Sequence, residues 1–309
     1  MNRKIIIICG PTAVGKTKYS IEIAKAFTGE IISADSMQLY RHMNIGSAKP
    51  TAEELAQVKH HLVDEMDPKK PFSVAEYQEK AKIAIEEIFS RERTPVISGG
   101  TGLYVNSLIY DMDFSKPPVS TEYRKELEAL ALEKGNEFVH HLLLEKDSEA
   151  GGRIHPNSLR RVIRALEVIQ LGDTVKPFED SFVKTRDYET ILIGLSRERD
   201  ELYERINGRV DNLMKNGLID EIKGLLAMGL TESNISMKGI GYKEIIGHLN
   251  GEYDLAFAVD LVKKNTRHYA KRQMTWFKRY KDINWFQLSD YATDEQAMED
   301  IIGWLLKNR

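Results

Sequence analysis

Gly10-Pro11-Thr12-Ala13-Val14-Gly15-Lys16-Thr17 is the stretch on which the fold turns. It follows the apolar run Lys4-Ile5-Ile6-Ile7-Ile8-Cys9 and precedes a helical pattern that continues through Phe27. Strand, glycine loop and helix, in that order, are the context in which G-x-x-x-x-G-K-[ST] captures phosphate. Loop amides and the helix N-terminus converge on one concavity that favours an anion. Lys16 adds a full positive charge, and the Thr17 hydroxyl suits a phosphate-bound Mg²⁺. Residues 10–17 therefore predict a site for a di- or triphosphate. They leave open which one, and whether phosphate is transferred or merely departs.

With 309 residues the chain has room for one large α/β domain and a smaller lobe. A hydrophobic content of 42% with 29% charged residues is ordinary for a soluble globular protein. The net charge of −3 gives no global sign of nucleic-acid binding, so any such signal must be local. The single Cys9 excludes a disulfide framework and a cysteine-based zinc site, and its place at a strand end reads as a small buried residue. The N-terminal apolar run is too short for a signal-peptide core, and no stretch approaches a membrane span, so a cytoplasmic protein without a membrane partner is expected.

Beyond the loop helix, Gly29 reads as its C-terminal cap. A short strand over 30–34 then runs into Asp35-Ser36-Met37-Gln38. Polar residues just past the carboxyl end of a parallel strand lie at the ligand crevice of open α/β sheets. Asp35 is thus a ligand candidate, with a helix N-cap as the alternative. The adjacent His60 and His61 would face different directions and read as structural or as polar lining. An amphipathic helix is predicted over 73–90, and a buried strand over 94–98 ends in Gly99-Gly100-Thr101-Gly102, where glycines allow close backbone approach to a ligand. Residues 111–118 read as a linker. A helical segment over 121–146, interrupted near Gly135, is followed by Gly151 and Gly152 as chain breakers and by a helix over 158–171. A strand returns at 190–195, and the remainder reads as helical, including one helix over 198–228. The expected architecture is α/β, a P-loop NTPase-like parallel sheet core over 1–111 and 186–309 with an inserted, mainly helical smaller domain over 112–185.

Two local charge signals stand out. Between Leu261 and Lys281 there are eight Lys/Arg residues and no acid, with Tyr269, Trp276, Phe277 and Tyr280 interleaved. The segment from Arg153 to Arg164 is also basic and acid-free. Either could be a solvated face, but the pairing favours contact with a phosphate backbone. Arg205 and Arg209, four apart, offer either a charged face or one arginine that reaches the phosphates. Three functions stay open on these residues: a small-molecule kinase, a nucleic-acid-stimulated NTPase, and a transferase whose leaving group is pyrophosphate.

The ordered set GPTAVGKT at 10–17, SADSMQLYR at 33–41, HHLVD at 60–64, GGTGLY at 99–104, RIHPNSLRRVIRALE at 153–167, GYKE at 241–244 and TRHYAKRQMTWF at 266–277 resembles the tRNA dimethylallyltransferase (tRNA isopentenyltransferase) family of bacterial type. The likeness runs from the first strand to about Phe277. It implies transfer of a dimethylallyl group from dimethylallyl diphosphate to the exocyclic amine of the adenosine 3′ to the tRNA anticodon. It also implies a channel that the flipped base and the diphosphate enter from opposite mouths. In these terms residues 10–17 bind the diphosphate, Thr17 holds Mg²⁺, and Arg209 stabilises the leaving group. Asp35 is the expected base, and Thr101 helps to place the amine or the phosphates. Asp35, Ser36, Met37 and Gln38 are expected against the tRNA, Gln38 reading an adenine edge. Further tRNA contacts are expected from Arg160, Arg161, Arg164, Lys238, Lys243, Arg267, Lys271, Arg272 and Gln273, in a protein acting as a monomer.

Overall fold

The computed structural model describes residues 3–112, 121–177, 180 and 182–308. Most of the linker read at 111–118 lies outside the described residues. The chain divides into two compact units, one formed by residues 3–109 and 185–308 and the other by 110–184. The breaks fall one or two residues before the expected 111/112 and 185/186. Among the described residues, no helix is long and apolar enough to cross a membrane.

The larger unit is built on six parallel strands: β1 (Lys4–Cys9), β2 (Gly29–Ser33), β3 (His60–His61), β4 (Thr94–Gly99), β5 (Glu189–Ser196) and β6 (Ile283–Gln287), in the spatial order β3-β2-β4-β1-β5-β6. Central parallel strands are covered on both faces and so read as continuous apolar runs. Ile5, Ile6, Ile7 and Ile8 of β1 are accordingly all fully buried. Its helices are α1 (Lys16–Ala26), α2 (Ala52–Gln57), α3 (Val74–Ser90) and α4 (Gly102–Ile109) before residue 110. Helix α1 packs through Tyr19, Ile23 and Ala24 on the Ile6–Ile8 face, in one core with Ile193, Leu195 and Ile206.

Cross-strand pairing fixes which loops meet. Cys9 is paired with Gly99 and with Gly194, and Ser33 with Ser98. The chain therefore leaves β1, β2, β4 and β5 at one sheet edge, and that edge receives residues 10–17, 34–38 and 100–102. Helix α3 starts at a full capping box between Ser73 and Glu76, which accounts for its sharp sequence boundary. On β2, the buried Glu30 carboxylate is held by Arg91 at 2.8 Å and by His61 at 2.7 Å. Burial opposes its ionisation, but these hydrogen bonds hold the carboxyl down to about 2. His61 is thus structural, as is His60, whose ring meets the Val58 carbonyl.

The smaller unit contains α5 (Thr121–Lys134), α6 (Asn136–Lys146), α7 (Ser148–Arg153) and α8 (Leu159–Gln170). Leu127, Val139, Leu143, Val162, Ile163 and Leu166 form its core. Gly151 and Gly152 do not break the chain here; both lie inside α7. A Cβ on Gly151 would come within 2.5 Å of Leu144 Cδ2, so the glycine makes room for α6.

The rest of the larger unit contains α9 (Arg199–Lys215), α10 (Leu218–Ala227), α11 (Tyr242–Leu249), α12 (Leu255–Phe277) and α13 (Asp294–Asn308). Three expectations fail here and near α1. The helix over 198–228 is two helices, because Gly217 turns left-handed at φ 96°. The C-terminal part is not wholly helical, since β6 adds a sheet edge in which Phe286 is buried. Gly29 is the first residue of β2 rather than a cap: the left-handed residue is Thr28 at φ 49°, and a Cβ on Gly29 would meet the Thr94 carbonyl at 2.7 Å.

Candidate active site

The glycine loop takes up the conformations its sequence requires. Gly15 sits at φ 116°, and a Cβ on Gly10 would strike the Leu195 carbonyl oxygen at 2.4 Å. Lys16 Nζ donates to the carbonyls of Gly10 at 3.0 Å and Pro11 at 2.8 Å, so the ammonium is folded over its own loop. Burial pushes Lys16 down to about 8, the nearby Arg209 charge adds to this, and Asp35 opposes it. From α9, Arg205 Nε donates to the Ala13 carbonyl at 2.9 Å, while Arg197 Nε donates to Val14 at 3.1 Å. The loop is therefore clamped from outside by two arginines. Cys9, just before it, is a buried thiol pushed up to about 12 by that burial.

After β2 the chain makes a turn, not a helix. Asp35 Oδ1 accepts the Met37 amide at 2.9 Å and the Gln38 amide at 3.4 Å. Asp35 thus does the work of a cap for this turn with one oxygen, while its carboxylate also lines both cavities described below. The turn is braced from the β4 edge: Thr101 Oγ1 accepts the Ser36 amide at 3.0 Å, and Thr101 N–H donates to the Ala34 carbonyl at 3.0 Å. The glycines before and after Thr101 make room for protein rather than for a ligand. Added Cβ atoms would meet the Ala34 backbone at Gly99, Gln273 Nε2 at Gly100 and the Trp276 ring at Gly102.

Two cavities open at this edge. One, of about 580 Å³, is lined by Ala13, Gly15, Lys16, Thr17, Lys18 and Arg205 among others. The other, of about 440 Å³, is lined by Ser36, Met37, Tyr40, Phe72, Tyr104, Val210, Ile235 and Val262, with Lys238, Lys243 and Arg272. Thr12, Asp35, Arg209, Leu213 and Tyr269 line both. The first cavity is cationic and amide-rich, suited to a diphosphate. The second offers aromatic and apolar walls with lysines, suited to a planar base that carries a phosphate backbone. Asp35 and Arg209 stand where the two meet. Among the described residues, no hydrogen bond or ion pair engages the partly buried Arg209 guanidinium, and burial lowers its pKa against the pull of Asp35.

A third loop completes the wall. Glu221 of α10 accepts the amides of Asn44 at 2.7 Å, Ile45 at 2.6 Å and Gly46 at 2.9 Å, and Tyr242 Oη donates to it at 2.9 Å. This carboxylate holds Gly46, Ser47 and Ala48 at the cavity rims.

Other expected contacts divide clearly. Lys238, Lys243 and Arg272 reach the 440 Å³ cavity, Arg272 lying 5.7 Å from the Tyr269 ring centre. Lys271 is exposed on α12, whereas Arg267 is half-buried and donates to Asn207 Oδ1 at 2.7 Å. Lys263, counted in the same basic run, is neutralised by Asp211 at 2.6 Å. Gln38 is not placed to read a base: its Oε1 accepts from Ser33 Oγ and its Nε2 donates to the Ala48 carbonyl. Gln273 is not on a tRNA-facing surface either. It is buried, accepts the Thr12 amide at 2.8 Å and donates to the Gly100 carbonyl at 2.9 Å. In the smaller unit, Arg160 and Arg161 are exposed, but Arg164 pairs at 3.2 Å with the buried Glu167, which Arg124 also holds. Arg164 is therefore a structural cation. Tyr104, Tyr40 and Phe72 carry no role in the sequence reading, and Tyr269 enters it only as one of the aromatics interleaved in the basic run of α12. For Tyr269 a signal existed, since Val262, Thr266, Tyr269 and Gln273 recur at helical spacing on α12.

A family model described as IPP transferase matches residues 38–280. The chain is 51% identical over 303 residues to the tRNA dimethylallyltransferase of Alkaliphilus oremlandii (strain OhILAs), covering 98% of this chain and 97% of the relative. It is similar to the crystal structure of a tRNA isopentenylpyrophosphate transferase from Bacillus halodurans, with 45% identity, a TM-score of 0.75, and 99% and 96% of the two chains covered. It is also similar to a eukaryotic dimethylallyltransferase seen acting on tRNA, with 27% identity, a TM-score of 0.84, and 100% of this chain and 80% of that one covered.

Proposed function

The chain belongs to the IPP transferase family, and we propose on that premise that it transfers a dimethylallyl group from dimethylallyl diphosphate to the exocyclic amine of the adenosine 3′ to the tRNA anticodon. The observation that carries this reading is the pair of adjoining cavities with Asp35 and Arg209 at their junction. A kinase also needs a chamber for its acceptor beside the loop, but it has little use for one edged by Lys238, Lys243 and Arg272.

The donor's diphosphate lies against the amides of residues 10–17, with Lys16, Arg205 and Arg209 around it. Its allylic carbon then points toward Asp35. The adenosine, extruded from its stack, enters the second cavity between Tyr104, Phe72 and Tyr269. The amine nitrogen attacks the allylic carbon as the carbon–oxygen bond breaks, and the bonding pair leaves with pyrophosphate. Charge grows on that leaving group, and Lys16 and Arg209, which line the cavity, stabilise it. The amine proton passes to Asp35, whose Oδ1 remains in the turn. The Thr17 hydroxyl lines the same cavity as Lys16 and would hold a Mg²⁺ carried largely by phosphate and water. When bound, that ion supplies further charge neutralisation for the leaving pyrophosphate.

Incubation with Mg²⁺, unmodified tRNA and labelled dimethylallyl diphosphate tests the reading. Label in tRNA is expected. Label transferred instead from ATP to a small molecule would mark a kinase, and ATP hydrolysis stimulated by RNA without transfer would mark an NTPase.

We assign the phosphate-backbone contacts to the cations left exposed. Replacing Lys271 and Arg272 together by Ala is expected to weaken tRNA binding and to reduce the slope of log K against log salt by roughly 0.7–0.9 for each phosphate no longer neutralised. Arg160 and Arg161 should behave alike. Arg164→Ala should instead lower the melting temperature with little change in slope. An unchanged slope in the α12 variant would reduce that helix to a solvated face.

A further inference from the structure

We infer that Gln273 is a positioning residue that sets the diphosphate loop and the Asp35 turn in register through a single side-chain amide. Its Oε1 accepts the amide of Thr12, a residue that lines both cavities, at 2.8 Å. Its Nε2 donates to the Gly100 carbonyl at 2.9 Å. The next residue, Thr101, holds the backbone on either side of Asp35, through Ser36 N–H and the Ala34 carbonyl. One buried amide thus joins the half of the site that holds the donor to the half that holds the base. Glycine at 100 belongs to the same device, because a Cβ there would lie 2.1 Å from Gln273 Nε2.

The chemistry demands this side chain. Thr12 needs an acceptor and Gly100 a donor, and a buried polar group left without its partner is costly. A carboxylate at 273 keeps the acceptor but turns a second oxygen on the Gly100 carbonyl. A thioether fills the space and satisfies neither group. A protonated carboxyl, by contrast, has one acceptor and one donor and can replace the amide. Burial raises a carboxyl's pKa, which brings that protonation into an accessible range.

Gln273 sits in the helix that presents Tyr269 and Arg272 to the second cavity, so the amide also ties that helix to the diphosphate loop. The placement of donor against base rests on the transferase reading, whereas the setting of the loop itself does not.

The test compares Gln273→Glu and Gln273→Met with wild type from about pH 8 to about pH 6. Two quantities are followed: single-turnover transfer with both substrates saturating, and pyrophosphate affinity without tRNA. Each is taken as a ratio to wild type at the same pH, because the groups that face the side chain are common to all three proteins: Tyr269 on its own helix and, around the cavity it lines, Lys16, Lys18, Asp35, Glu54, Arg205 and Arg209. At the upper pH both variants should transfer at least about tenfold more slowly and bind pyrophosphate several-fold more weakly, with tRNA affinity within about threefold of wild type. As the pH falls, Gln273→Glu should recover toward wild type in both ratios and Gln273→Met should not. A Gln273→Glu ratio that is flat across this range overturns the assignment, as would both variants lying within threefold of wild type throughout. Recovery of pyrophosphate affinity in a protein whose wild type transfers no prenyl group would leave the clamp standing and sink the transferase reading.

Discussion

Asp35→Asn is expected to fold, to bind both substrates and to slow single-turnover transfer by about a hundred- to ten-thousandfold. The substitution isolates the proton acceptor because the turn does not need the charge. Asp35 Oδ1 accepts the amides of Met37 and Gln38, and an asparagine Oδ1 accepts them as well. What is lost is the second carboxylate oxygen of a residue that lines both cavities. An adenine amine is far too weak an acid to ionise before attack, so its proton leaves during or after formation of the carbon–nitrogen bond. The base must then be close. Saturating both substrates separates chemistry from binding. A variant that transfers within threefold of wild type would leave Asp35 as the keeper of a turn, and the proton would have to go elsewhere in the cavity.

The parts of this site that were legible in the sequence are those whose physics is local. Anion capture by backbone amides needs glycine at set positions before a helix, and residues 10–17 display it within eight letters. The central strands announce themselves because both faces are buried, and α3 because Ser73 and Glu76 cap it reciprocally. What was not legible depends on partners distant in the chain. Gln273 looks like one more polar residue in a basic helix until Thr12 and Gly100, 261 and 173 positions away, are brought against it. Lys263 counts as a free cation until α9 supplies Asp211. Arg164 was misjudged for a simpler reason: the acid-free window stops three residues short of its counter-ion, Glu167. The glycines show the same divide. Gly10 and Gly15 serve the loop's own conformation, but Gly100, Gly102 and Gly151 exist because Gln273, Trp276 and Leu144 occupy the place of a Cβ. Strand β6 escaped because it is an edge strand of mixed composition, in which only Phe286 is fully inside.

Lys16→Ala should weaken pyrophosphate and donor binding by about ten- to a hundredfold, the usual worth of a hydrogen bond to a charged group, and leave tRNA affinity within about threefold. The pH dependence of the wild type provides a sharper check. In the free protein burial holds Lys16 at about 8. A bound diphosphate favours the ammonium and raises that value. Below pH 8 the charge is already present, and the ligand binds without taking up a proton at this site. Above pH 8 binding must take up a proton, so the dissociation constant should climb by up to tenfold per pH unit until the pKa of the complex is reached. The same sign governs the ligand-free fold. A lysine whose pKa is lower in the folded than in the unfolded state burdens stability fully below pH 8, and the burden lifts between there and the ordinary value near 10.5. Titration of pyrophosphate by calorimetry between about pH 7 and 9.5 should therefore show a slope in the wild type that Lys16→Ala lacks, while ionisation of the ligand itself affects both alike. Equal slopes in the two proteins would assign the proton to another group. A parallel loss of tRNA binding in the variant would mean that the diphosphate and the nucleic acid do not occupy separate cavities.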